Sequence, residues 1–124
     1  MKPIILRLTP RARRDVEKCV RFVASFSSGK PEERRRDIHA GFDQICEFPK
    51  RHPVEVRRRR SGLELRRHPV RQFTIIYAYL PPDKERPWAI VTVRAVQHRR
   101  IRNVFFGVRE TGGLDDAPVP YRTV

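Results

Sequence analysis

The apolar residues of this chain change their period at Pro53, and that change restricts what it can fold into. Before it, two stripes recur at three- and four-residue steps: Ala12, Val16, Cys19, Val20, Val23 and Phe26, then Ile38, Phe42, Ile45 and Cys46. Each is the inward face of an amphipathic helix. After it the pattern is strand-like. Val54, Val56, Leu63 and Leu65 sit among Arg57, Arg58, Arg59, Arg60, Arg66 and Arg67, Phe73–Leu80 is almost continuously apolar, and Trp88–Val96 resumes the pattern around Ala89–Val93. A chain that keeps helices and strands in separate stretches packs one layer on the other, an α+β plan.

Punctuation places the ends of these elements. Ile4–Leu8 reads as a first strand. Thr9 can cap a helix and Pro10 fits its first position. Ser27-Ser28-Gly29 breaks that helix, Pro31 opens the next with Glu32 and Glu33 in its first turn, and Pro49 ends it. Two helices joined by a short Ser/Gly turn form an antiparallel hairpin. Ser61-Gly62 is a turn between two short strands, and Pro81-Pro82-Asp83-Lys84 is a loop tip. The predicted order is β-α-α-β-β-β, a helical hairpin packed on a small antiparallel sheet to which Ile4–Leu8 can add. Beyond Val108, Gly112-Gly113, Asp115-Asp116, Pro118 and Pro120 read as a tail. The expected division is a domain over 1–108 and a C-terminal tail over 109–124.

At 124 residues this is one domain, long enough to fold without disulfides or metal. Its 39% hydrophobic content exceeds that of a disordered chain, and no apolar run approaches the roughly 20 residues of a membrane span. No apolar segment follows Met1, so a secretory signal is not expected. Cys19 and Cys46 are too few for a disulfide framework and predict buried, reduced thiols in a cytoplasmic protein.

Charge points outward to a partner. The chain carries 28 Lys and Arg against 14 Asp and Glu, net +14. Residues 51–102 alone hold 14 cations and 4 acids, net +10. Arginine dominates, and its planar fork suits carboxylate and phosphate. An anionic partner, nucleic acid or acidic protein, is expected for the middle segment.

Most enzyme signatures are missing. There is no Gly-rich phosphate loop, and His39, His52, His68 and His98 stand without acidic partners at metal-ligand spacing. No cofactor and no metal site is expected. What stands out is basic: Arg66, Arg67 and His68, then Arg71, then His98, Arg99, Arg100 and Arg102. Neighbouring strand ends of an antiparallel sheet meet, so these groups are expected on one rim, as a phosphate anchor, a dock for an acidic protein or a solubilising edge.

From Leu63 to Phe105 the chain resembles the ParE/RelE superfamily of bacterial type II toxins. The stretches that carry the resemblance are Gly62-Leu63-Glu64-Leu65-Arg66-Arg67-His68-Pro69-Val70, then Phe73-Thr74-Ile75-Ile76-Tyr77, then Ile90 through Val96 with Gln97-His98-Arg99-Arg100. The opening around Thr9–Val16 and the Phe48-Pro49 close of the second helix also fit, so it covers about residues 4–106. It implies a cytoplasmic toxin neutralised by an acidic antitoxin, with which it forms a hetero-oligomer. The RelE-like branch cuts messenger RNA on the ribosome. It uses an Arg in the central strand, an Arg after the last strand and a Tyr shortly beyond. Here Thr74 takes the first place, Arg99 can fill the second, and Phe105 or Phe106 stands at the third. If the chain were such a nuclease, Arg71, His98 and Arg99 would be its candidates. The ParE-like branch is not a nuclease and stalls DNA gyrase. Pro69-Val70 and His98-Arg99-Arg100 lean that way, with Arg66, Arg67, Arg71, His98, Arg99, Arg100 and Arg102 expected to bind target or antitoxin.

Overall fold

The computed structural model describes residues 4–25, 31–60 and 62–98, and the backbone of 119–123. The elements are β1 (Ile4–Leu8), α1 (Pro10–Ala24), α2 (Pro31–Glu47), β2 (Val54–Arg57), β3 (Glu64–Val70), β4 (Phe73–Leu80), β5 (Ala89–His98) and β6 (Val119–Thr123). Thr9 caps α1 as the sequence indicates, its Oγ1 accepting the Ala12 N–H at 3.0 Å ahead of Pro10. Ala12, Val16, Cys19, Val20 and Val23 are buried along α1, and Ile38, Phe42, Ile45 and Cys46 along α2. Phe26 and the Ser27-Ser28-Gly29 break lie outside the described residues.

The α+β plan stands, but the sheet is mixed. Its order is β2-β3-β4-β5-β1-β6. The meander β2 to β5 is antiparallel, whereas β1 lies parallel to β5 with Ile4 opposite Ala89 and Leu8 opposite Val93. The parallel course has a local cause. It delivers Thr9 and α1 to the half of β5 that β1 leaves uncovered. There Thr9 N–H donates to Val93 O at 3.0 Å and its hydroxyl to Arg94 O at 3.2 Å. Asp15 Oδ2 accepts the Val96 N–H at 3.1 Å, and Cys19 Sγ donates to Val96 O at 3.5 Å. Helix side chains thus satisfy backbone groups that an open strand edge would leave bare. Burial pushes the Asp15 carboxyl above its ordinary range, against the lowering effect of the Val96 N–H, and pushes the Cys19 thiol up to about 12.

A second difference concerns the tail. Val119–Thr123 forms β6, antiparallel to β1 with Leu8 opposite Val119 and Ile5 opposite Thr123. The Gly- and Pro-rich composition hides this strand, because it needs only a free edge on β1. The boundary expected at 108 lies outside the described residues.

The main core fills the space between the helices and one sheet face. Phe42, Ile38 and Ile45 of α2 are completely buried, as are Phe73, Ile75 and Tyr77 of β4 and Val91 and Val93 of β5. The loop after β4 is ordered by two side chains. Asp83 Oδ1 accepts the Glu85 and Arg86 N–H groups at 2.9 and 2.7 Å, and the Arg86 guanidinium donates to Pro81 O at 2.7 Å.

Gly41 sets how closely α2 approaches the sheet. A Cβ there would lie 2.5 Å from Val70 Cγ2 and 2.7 Å from Ile75 Cδ1. Valine is stiff at χ1 and Val70 is buried, so it has little room to yield. Gly41→Ala gains about 1 kcal/mol of helix propensity but overpacks the core, which typically costs about 1–3 kcal/mol. Thermal melts should show a lower midpoint for the variant. A raised midpoint would mean that the helix rides higher on the sheet.

Candidate functional site

The structure splits the basic residues that the sequence groups on one rim. Arg71 and His98 do share an end of the sheet: Val70 is opposite Phe73, Phe73 is opposite His98, and Arg71 occupies the β3–β4 turn. Arg66 and Arg67 do not join them. They sit in mid-strand opposite Tyr77 and Ile76, because the turn that reverses β3 comes four residues later than convergence would need. Arg99, Arg100 and Arg102 lie outside the described residues.

The two members of the rim differ in exposure. His98 is 5% exposed, with its ring edge-to-face with Phe22 at 5.0 Å and Phe73 at 5.8 Å. It packs α1 onto the end of the sheet. The Arg71 side chain is 67% exposed, and its Nε lies 3.3 Å from Asp37 Oδ1 on α2. Its φ of 51° is left-handed, a conformation that costs a non-glycine residue energy and that its surroundings must enforce. Asp37 also holds Arg34 at 3.3 Å, and Glu33, Arg34, Arg36, Asp37 and Arg71 line a polar cleft of about 350 Å³.

Arg66 has a different task. It is 5% exposed, and its Nη2 and Nε donate to Glu64 Oε1 at 2.7 and 3.1 Å. Its Nη1 donates to Lys50 O at 3.4 Å and to His52 O. Tyr77 supports the same loop, its hydroxyl donating to Pro49 O at 2.5 Å. Burial raises the pKa of Glu64, but the guanidinium groups of Arg66 and Arg57 outweigh it and hold the carboxyl below its ordinary value. Nearby, His68 Nε2 lies 2.9 Å from Gln44 Oε1 and its ring edge-to-face with His52. Burial, with His52 and Arg51 adding, brings His68 down to about 4.

The loop held in this way presents a feature that sequence reasoning missed. Glu47, Phe48, Pro49, Lys50, Arg51 and Tyr79 line an open cleft of about 590 Å³ at the C-terminal end of α2. Phe48 is 53% exposed, the one exposed large hydrophobic side chain among the described residues. Arg51 lies over its ring at 5.0 Å, and Lys50 over the Tyr79 ring at 5.7 Å. Phe48-Pro49 serves in the sequence as a helix stop. An aromatic at that stop, followed by two cations, was the available signal.

Residues 6–102 match the family described as ParE toxin of type II toxin-antitoxin system, parDE. The chain belongs to the ParE toxin family. No curated protein matches it. As a ParE toxin it is the toxin half of a two-component system, and membership implies an antitoxin as partner. The matched span runs from within β1 past the end of β5, so the rim and the Phe48 cleft both lie within it and β6 lies beyond it. Among the described residues no helix is long and apolar enough to cross a membrane, and no cluster of His, Cys, Asp and Glu is placed to hold a metal ion.

Two tests follow from the buried polar groups. Glu64→Gln leaves the Arg66 charge buried without its counter-ion, and denaturant unfolding should show a loss of about 3–5 kcal/mol. Replacing both by apolar residues should cost much less, since neither charge is then stranded; an equal loss would show that the loop contacts matter more than the pairing. His68 is buried neutral, with its folded value below the unfolded one of about 6.5. The unfolded chain therefore binds the extra proton between those values. Stability contributed by His68 is complete above pH 6.5 and is lost as pH falls through about 4. His68→Gln should flatten that part of the stability–pH curve; an unchanged slope would assign it to other groups.

Proposed function

We infer that this ParE toxin acts by binding, arresting DNA gyrase with its DNA broken, and that an acidic antitoxin neutralises it. The observation that supports binding over RNA cleavage is the state of the two described nuclease candidates. His98 is walled between Phe22 and Phe73 and Arg71 is paired with Asp37. The buried His98 ring is not open to a substrate proton at hydrogen-bond distance, and the Arg71 guanidinium, although exposed, stays protonated and cannot act as a general acid or base. Thr74, where the RNA-cutting branch expects an arginine, has neither the charge nor the fork to stabilise a developing phosphorane. The net charge of +14 suits an acidic antitoxin and a target that holds DNA.

The toxic contact is assigned to the segment after β5, through Arg99 and Arg100. A charge-assisted contact is worth about 1.5–3 kcal/mol, or about 10–100-fold in affinity. Purified protein should inhibit supercoiling by gyrase and leave ribosome-bound message intact. Arg99→Ala with Arg100→Ala should abolish growth inhibition while the thermal melt stays near that of the parent. His98→Ala should lower the melt instead, because it opens a hole between two phenylalanines. Codon-specific cuts that vanish in Arg99→Ala would establish the RelE-like activity instead.

A further inference from the structure

The Phe48 cleft and the rim at His98 lie at opposite ends of the sheet. Tyr79 is next to the last residue of β4, whereas Phe73, its first, faces His98. A single exposed phenylalanine is unremarkable. Here it comes with three further features. It forms a wall of a cleft with Pro49 and Tyr79, so an inserted side chain meets apolar surface on several sides. Its loop is fixed from below by buried groups: Tyr77 bonds Pro49 O, and Arg66 bonds Lys50 O and His52 O. A surface so held loses little freedom when it binds. Cations surround it. Lys50 and Arg51 form its rim, and the register carries the β2–β3 hairpin, with Arg57–Arg60 exposed, to the same end, since Arg57 is opposite Glu64 and Glu64 opposite Tyr79. Glu47 is the one acid among the lining residues.

We propose that this cleft is the docking site for an acidic peptide segment that seats one large apolar side chain against Phe48, Pro49 and Tyr79 and places carboxylates on Lys50 and Arg51. The partner that carries this segment is the antitoxin, which rests on the functional reading above; the site itself rests on the geometry. A peptide fits better than a nucleic acid because Phe48, Pro49 and Tyr79 form a concave pocket for one side chain, with Lys50 and Arg51 at its rim to meet carboxylates, rather than a flat ring platform for successive bases. Its apolar lining suits an aliphatic or aromatic side chain. The antitoxin then grips the toxin at the end of the sheet away from His98.

The test uses the full chain and two short labelled peptides rich in Glu and Asp, one with a central phenylalanine and one with alanine in its place. Fluorescence anisotropy should give the phenylalanine peptide at least about tenfold tighter binding, the effect of burying one such side chain. Phe48→Ser should remove that difference. Arg51→Glu should weaken both peptides more than Arg13→Glu, an equal charge change on the exposed side of α1. Equal binding of the two peptides, equal effects of the two reversals, or a Phe48 dependence shown only by a single-stranded oligonucleotide would overturn the proposal. Co-expression with the cognate antitoxin separates the two levels. If it neutralises the parent and Phe48→Ser with Arg51→Glu equally well, the toxin reading stands and the cleft assignment falls. If the phenylalanine peptide binds as expected but the chain has no toxicity, the cleft stands and the toxin reading falls.

Discussion

The buried Arg66–Glu64 pair is the joint between the two halves of this molecule. An α+β chain of this order has one long crossing from its last helix to its first meander strand, here the loop from Phe48 to Pro53. That crossing carries backbone carbonyls that no helix or strand satisfies, and buried polar groups of this kind must find partners. Arg66 supplies them from the middle of β3, and Glu64, two residues away on the same face, neutralises the guanidinium. Tyr77 adds a third tie from β4. A buried ion pair is a poor source of stability compared with well-packed apolar residues. Its contribution here is position: it fixes where α2 ends relative to the sheet, and so how Phe48 and Tyr79 face each other across the cleft.

At the other end the constraint is the bare edge of β5. β1 stops at Leu8, and β5 continues for five residues past Val93. Thr9, Asp15 and Cys19 cover that overhang with side chains on one face of α1, which ties the helix to the strand along its length. His98 closes the contact by inserting between Phe22 and Phe73. A histidine followed by arginines looks from sequence like a charged site, but its register with Phe73 turns it into the core.

Much of the architecture was legible because it depends on local rules. The stripes of α1 and α2, the Thr9 cap, the Pro49 stop, the Gly62 turn with φ 74° and the run Phe73–Leu80 all express periodicity or backbone preference. What was not legible depends on non-local geometry. The parallel course of β1 follows from where α1 must lie, the existence of β6 from an edge left vacant, and the division of Arg66 from Arg71 from the position of a turn. Gly41 carries no sequence signal, since its smallness matters only against Val70. The Phe48 cleft joins residues 47–51 to Tyr79, a proximity that only the β3–β4 pairing creates.

The charge shows most clearly how sequence and structure divide the information. By count, the cations of residues 51–102 seem to form one basic surface. In the fold, much of that charge is met locally: Arg66 and Arg57 by Glu64, Arg67 by Glu55 at 3.8 Å, Arg71 by Asp37, and Arg86 by Asp83 at 3.7 Å. Each pair lowers the field at its own site, and the exposed ones contribute little else. Excess charge therefore gathers where the acids run out. One such place is the end of the sheet that carries Lys50, Arg51 and the exposed hairpin Arg57–Arg60, where Glu64 is already committed to two arginines and Glu55 to Arg67. A field concentrated there raises the encounter rate with an acidic partner and orients it, while the apolar cleft beneath decides whether the encounter lasts. Net charge is one number for the whole chain; the distribution of the few acids decides where on its surface positive potential is left over.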